Sequence, residues 1–381
     1  MNKSVVSLTN INSISCLYKA PRICICRFFC LGFEMTTHYD AGQACVDYLV
    51  WHLHPTGRFD YVFDPLTEKT GKDYNLLRHA GTLYALFQWY RLTGARPPLK
   101  LLDKGVDYLE TFIESHPTVK YLSAVVANGE AKLGGAGLAL LMYTERQALT
   151  GKTGDLRLMR QLAEFIIWTQ EQSGRFPSIY VLQERRFTDF YSVYYPGEAM
   201  LGLLRLYRID PDPRWLQAVI NGVRYLLLDP VMHGMVRGHN HWFVTTLSEY
   251  LTLAYDEDFY NELWKITGAT VDSIPRRIQR RASSASMATV GETAVAALLT
   301  ELRLQRSSRV GYLSEAIGTM LEYCLALQVK PGTFPSDAGV GGIMASAGKR
   351  GIRIDFVQHT LQVISGCLLA DTMKEVKKYA V

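Results

Sequence analysis

The chain has no hydrophobic run long enough to cross a bilayer, and it has hardly any stretch that alternates apolar and polar residues as a half-buried strand must. It also lacks a phosphate loop, a dinucleotide fingerprint and a nucleophile elbow. Nucleotide chemistry and elbow-type serine hydrolysis are therefore disfavoured, and no cofactor is expected. Charge of one sign is scarce too. The formal net charge is +5 over 381 residues, with Lys and Arg spread among Asp and Glu, so no nucleic-acid footprint is present. The densest basic run, "PRRIQRR" (Pro275 to Arg281), is followed by "ASSAS" and reads as an exposed loop.

Cysteines are few after the first thirty residues. Cys16, Cys24, Cys26 and Cys30 cluster in the leader, but no His or second C-x-x-C pair completes a metal site around "CICRFFCLGF". Arg27 interrupts that stretch, which is too short to span a membrane and has no small-residue cleavage pattern. Residues 1–37 therefore read as a disordered leader, with Met35 a candidate start of the folded protein. Cys45, Cys324 and Cys367 stand singly in apolar helical patterns, as expected in a reducing, cytoplasmic compartment.

What is abundant is helix. Hydrophobic residues make up 48% of the chain and charged ones 20%, enough for a substantial core. From about residue 39 the sequence repeats a unit of two helices at roughly fifty to sixty residues. "DYNLLRHAGTLYALFQWYRLTG" is followed by "LLDKGVDYLETFIE", "KLGGAGLALLMYTERQALTG" by "LRLMRQLAEFIIWTQEQ", and "YYPGEAMLGLLRLYRID" by "RWLQAVINGVRYLLL". Two further pairs start at "HWFVTTLSEY" and "TVGETAVAALL". The first helix of each pair is rich in Gly and Ala, as a crowded inner layer requires, and the second is more amphipathic. The sixth first-helix, "IRIDFVQHTLQVISGCLLA", lacks a partner after it, and "DAGQACVDYLVWHL" at the front can supply one. The expectation is an all-α fold with few or no long strands: one (α/α)6 toroid over residues 38–381, closed by its own first helix.

Polar residues gather at the starts of the inner helices. "GGIMASAGKRGIRIDFVQHTL" begins as a glycine-rich loop and then opens a helix whose first turns carry Arg353, Asp355, Gln358 and His359, with apolar residues beyond. Asn75, Arg78 and His79 open the first inner helix. Tyr194, Tyr195 and Glu198 open the third; His239, His241 and Trp242 the fourth; Glu292 lies in the fifth. A toroid gathers these helix starts at one mouth, so side chains far apart in sequence would converge on a shared cleft. Singly, each has a plainer reading as a cap, a core residue or a helix-dipole charge. Lys132 and Glu130 read as solvated loop charges.

The cleft so composed suits a sugar. Trp242, Tyr194 and Tyr195 can stack on pyranose faces, Arg78 and Arg353 can clamp a carboxylate or phosphate, and Asn75, His239, Glu292 and Gln358 can orient hydroxyls. His79, His241 and His359 with Glu198 and Asp355 supply candidate acids and bases. No metal is required by this set.

"QEQSGRFP" (Gln170 to Pro177) and "QVKPGTFP" (Gln328 to Pro335) share Q-x3-G-x-F-P after an outer helix, and "HPTGRF" keeps its last part. These pieces resemble the turn motif of terpenoid-cyclase toroids. The hairpins starting "YYPGEAMLGLLRLY" and "LGGAGLALLMYTERQALTG" resemble those of sugar-acting α/α barrels: the glucuronyl C5-epimerase catalytic domain, the N-acylglucosamine 2-epimerase group and six-hairpin glycosidases. The cyclase acid motif D-x-D-D is absent, as is any Cys and His set like the zinc site of lanthionine-cyclase-like toroids. The resemblance implies the fold rather than a named reaction; the cleft's arginines and helix starts suit an acidic or N-acylated sugar, and the histidines tilt the reading to an epimerase or isomerase. A glycoside hydrolase or polysaccharide lyase in the same cavity is the alternative, and a non-catalytic α/α-repeat binding scaffold is another.

Overall fold

Small residues set the spacing of the innermost layer. In the computed structural model, which describes residues 35–116, 118, 119, 121–229 and 240–378, the chain forms α1 (Met35–Trp51), α2 (Leu76–Thr93), α3 (Leu99–Glu110), α4 (Leu133–Thr150), α5 (Leu156–Thr169), α6 (Tyr195–Tyr207) and α7 (Pro213–Leu228). It continues with α8 (His241–Tyr250), α9 (Glu257–Val271), the short α10 (Ile274–Gln279), α11 (Ser284–Arg303), α12 (Val310–Leu325) and α13 (Ile354–Lys378). Of the expected leader, residues 1–34 lie outside the described residues, whereas residues 35–37 already belong to α1.

Six helices, α2, α4, α6, α8, α11 and α13, pack side by side in that order, and α13 returns to α2. The ring is closed. Gly137 shows why its members must be small: a Cβ there would lie 2.5 Å from the Glu198 carbonyl, so α4 and α6 are in backbone contact. Outside them, α3, α5, α7, α9 and α12 each cover the inner helix they follow, burying one face only. The sixth outer position is filled by α1, which packs on α13 as the front-helix reading expects.

The repeated turn works as a link between successive outer helices. Gln170, ending α5, donates its amide to the Ala218 carbonyl in α7, and Phe176 is buried against Gly222 of the same helix. Gln328, after α12, donates to the Ala41 carbonyl in α1. Gly57, after α1, has φ +84° and sits so close to Lys104 in α3 that a Cβ would meet its carbonyl oxygen at 1.9 Å. One device therefore ties α5 to α7, α12 to α1 and α1 to α3.

At the far end from the helix starts, charge joins the inner helices. Arg205 of α6 reaches Glu145 of α4 at 2.7 Å and Glu249 of α8 at 2.7 Å, and Arg91 of α2 reaches Glu145 at 2.5 Å. All of these are well buried, so the guanidiniums outweigh the burial that would otherwise push both carboxyls up. Breaking such a buried pair on one side costs about 3–5 kcal/mol.

Strands are short. β1 (Val62–Asp64), β2 (Lys69–Thr70), β8 (Met344–Ser346) and β9 (Lys349–Arg353) form a sheet in the order β2-β1-β9-β8. β3 (Ile113–Ser115), β4 (Ser123–Ala127), β5 (Glu130–Lys132), β6 (Ile179–Val181) and β7 (Arg186–Phe187) form a second in sequence order. Both are antiparallel and feed directly into inner-helix starts. Two expectations are corrected here. "GGIMASAGKRGIR" is a β-hairpin rather than a loose loop, and Arg353 ends β9, paired with Val62, rather than lying in the helix. "PRRIQRR" likewise is mostly α10, and Arg277 turns inward to bond Ser273 and Ser286.

Candidate active site

The first turns of the inner helices do converge. A cavity of about 430 Å³ is lined by Leu77 and Arg78 of α2, Leu138 of α4, Tyr195 and Glu198 of α6, His241 and Trp242 of α8, Ser286 and Thr289 of α11, and Asp355, Gln358 and His359 of α13. Asn75, Tyr194 and Arg353 complete it from just before α2, α6 and α13. Its size falls in the range of roughly 300–1,000 Å³ usual for small-molecule sites.

Two imidazoles of its lining face one carboxylate, Glu292, which is buried behind them and does not itself line the cavity. His359 Nδ1 lies 2.7 Å from Glu292 Oε1, and His241 Nε2 lies 3.2 Å from Glu292 Oε2. The rings of His241 and His359 meet edge to face with centroids 5.3 Å apart. Glu292 lies in the third turn of α11, and its contacts with His241 and His359 show that this depth is level with the first turns of α8 and α13. Burial opposes protonation of His359, but the facing Glu292 and, further off, Asp355 outweigh it and raise its pKa. The pair shares a proton tightly, as coupled buried groups do.

Glu198 is different. Its Oε2 is buried and has no hydrogen-bond partner among the described residues, and burial drives the carboxyl up to about 8, with His359 and Arg78 holding it back only in part. It is a neutral acid at neutral pH. Gly134 makes room for it, since a Cβ there would lie 1.9 Å from Glu198 Oε2.

Asp355 pairs with Arg78 Nε at 3.0 Å and accepts a hydrogen bond from Arg353 Nη2 at 2.9 Å. Arg78 also donates to the Tyr61 hydroxyl. Asp355 is thus an anchor for two guanidiniums. Asn75 caps α2 by accepting from the Arg78 amide, so its oxygen is committed. Gln358 fits against Gly81 and reaches Gln362. Trp242 is 5% exposed and Tyr194 41% exposed, giving one inner and one outer aromatic surface.

His79 does not join them. It is fully buried on the outer side of α2, with Nε2 on the Gly105 carbonyl at 2.8 Å and Nδ1 on the Tyr74 hydroxyl at 2.7 Å. Burial lowers its pKa to about 4. One residue's step around the helix, about 100°, separates it from Arg78. His239 lies outside the described residues. Lys132 pairs loosely with Glu130 at 3.7 Å, both partly exposed. Three contributors were missed. Tyr61 precedes β1 and Ser192 lies in the loop before α6, where helical spacing carries no signal, and Ser286 is in the first turn of α11, ahead of the start at Thr289 that the periodicity gave.

His241, Glu292 and His359 also form a set whose ligand atoms lie within 4.8 Å of one another. The His359–Glu292 hydrogen bond and the His241–Glu292 ion-pair contact already account for that closeness.

No family model matches the sequence, and no curated protein matches it. Solved structures do match by shape. D-mannose isomerase superposes with a TM-score of 0.63 at 10% identity, covering 91% of this chain and 99% of that one. An α-1,6-mannanase from Salegentibacter sp. gives 0.63 at 11% identity, covering 87% and 99%. Cellobiose 2-epimerase from Bacillus thermoamylovorans gives 0.63 at 11%, covering 86% and 99%. The fold these structures share with the chain is the (α/α)6 toroid. Among the described residues no helix is long and apolar enough to cross a membrane.

Proposed function

We propose that the chain is a carbohydrate-active enzyme, an epimerase or isomerase that works on an acidic or N-acylated sugar. The observation that carries this reading is the pair of imidazoles His241 and His359 lining an open cavity, both set against the buried carboxylate of Glu292 and beside the neutral acid Glu198. Neighbours of the same shape that isomerise or epimerise sugars add to it.

The chemistry follows from the charges. His241 takes the proton from the carbon next to an open-chain carbonyl, and the bonding pair moves to the carbonyl oxygen as an enediolate. Glu198, a neutral hydrogen-bond donor, stabilises that oxygen. His359, held protonated by Glu292, returns a proton to the carbon skeleton. Delivery to the opposite face of the same carbon epimerises, and delivery to the neighbouring carbon isomerises. Positioned acid–base groups of this kind contribute about 10²–10⁴-fold each.

Glycoside hydrolysis is the second reading, favoured by the raised carboxyl of Glu198, which is the protonation state a leaving-group acid needs. Against it stands the commitment of Asp355 to two arginines. Incubation of the protein with candidate sugars in heavy water separates the readings by NMR. Deuterium at a sugar carbon supports the proposal; new reducing ends without carbon exchange would replace it with hydrolysis. Binding with neither outcome would leave a non-catalytic scaffold.

A further inference from the structure

The ionised groups on the cavity wall do not cancel. Arg78 and Arg353 carry two positive charges and share one carboxylate, Asp355. Two cations less one anion leaves +1. The two guanidiniums are 36% and 30% exposed while Asp355 is 6% exposed, so the surplus faces the cavity and not the protein interior. Glu198 adds no negative charge at neutral pH, and Glu292 is matched by His359. The starts of α2, α6, α8, α11 and α13 all open on this space, and their positive dipole ends raise the potential further.

A neutral sugar leaves that potential unanswered. We infer that the substrate is a sugar bearing one anionic group, a carboxylate or a phosphate, which docks against Arg78 and Arg353 while the Glu198 carboxyl at the cavity wall hydrogen-bonds the sugar. The sugar itself rests on the function proposed above; the anion rests on the charge count and on the buried, unsatisfied oxygen of Glu198. This narrows an acidic or N-acylated sugar to an acidic one. It also gives Asp355 a role as the positioning residue that holds both guanidiniums in register for a single anion.

Thermal-shift and calorimetric titrations with D-glucuronate, glucose 6-phosphate, N-acetylglucosamine and D-mannose test this, the first two distinguishing carboxylate from phosphate. The expected result is binding of one anionic sugar at least about tenfold tighter than either neutral sugar, weakened by salt. Arg353→Gln should lose about tenfold or more of that affinity, Arg353→Lys should recover part of it, and Arg350→Gln, whose side chain pairs with Asp64 outside the cavity, should lose none. Affinity for the anion should fall above about pH 8 as Glu198 ionises, and Glu198→Gln should remove that fall. Equal or tighter binding of the neutral sugars overturns the inference, as does an Arg353→Gln variant that folds and binds the anion normally. Turnover of a neutral sugar alone would sink the inference and keep the enzyme. Arginine-dependent binding of the anion without turnover would do the reverse, and binding of none of the four would sink both.

Discussion

His359 and Glu292, sixty-seven residues apart, are joined by a 2.7 Å hydrogen bond between neighbouring inner helices, and this bond decides which imidazole starts as the acid. Glu292→Gln keeps the shape and removes the charge. His359 should then titrate lower, and kcat should fall about 10²-fold or more with a smaller change in KM. The charge on His359 also stabilises the fold at pH below its ordinary 6.5, an effect lost as pH rises through the elevated folded value. Urea unfolding of wild type and Glu292→Gln should show the difference narrowing as pH increases.

Glu198 has the opposite consequence for stability. Its folded carboxyl keeps a proton up to about 8, whereas the unfolded one loses it near 4.5. Between those values the folded state binds one more proton, so this group makes stability fall by about 1.4 kcal/mol per pH unit. Glu198→Gln should flatten the decline and be the more stable protein at pH 8, while losing most of its catalytic rate. Denaturant midpoints across that window check it, and a variant with the wild-type slope would contradict the neutral-acid assignment.

His79 should matter for folding alone. Replacing it with alanine removes two buried hydrogen bonds and the ring packed among Phe59, Tyr74 and Tyr108. The expected loss is about 2–4 kcal/mol. Because the ring resists protonation down to about 4, stability from it is full above pH 6.5 and drains as pH falls toward that value. Per folded molecule, kcat/KM should stay within about twofold of wild type, well short of the loss expected for an acid–base group.

Gly134 and Gly137 lie one turn apart on α4 and should fail differently. A methyl at position 134 collides with the tip of Glu198, which can swing aside, so Gly134→Ala should lower activity more than melting temperature. A methyl at 137 meets the α6 backbone itself, which cannot yield without parting two inner helices. Gly137→Ala should destabilise by about 1–3 kcal/mol or more. Paired melting curves and activity assays separate the two.

Periodicity carried much of this fold in plain view. The six inner helices and their Gly and Ala richness were legible because helical spacing and residue size are local properties, and the front helix was legible as the missing partner. Polarity at Glu198, His241, Asp355, Gln358 and His359 was legible for the same reason: expensive side chains placed at helix starts. The direction of His79 was not, because a stripe read as i, i+3, i+4 does not distinguish the inner rim of a ring from the face turned to the next helix. Arg353 was placed a residue too far along, since "GIRID" has the composition of a helix start while its hydrogen bonds go to Val62 and its neighbours. Tyr61 reaches the site from a segment with no period to read, and Ser286 from a helix turn that precedes the start read at Thr289.

The last inner helix, which carries Asp355, Gln358 and His359, finds its outer cover in the first helix of the chain. Synthesis therefore delivers the latch about three hundred residues before the piece it fastens. Until then the nascent polypeptide holds its arginine clamp and its imidazole floor in fragments, so prematurely terminated products should be inert towards sugars and left with an unfilled gap in their wall.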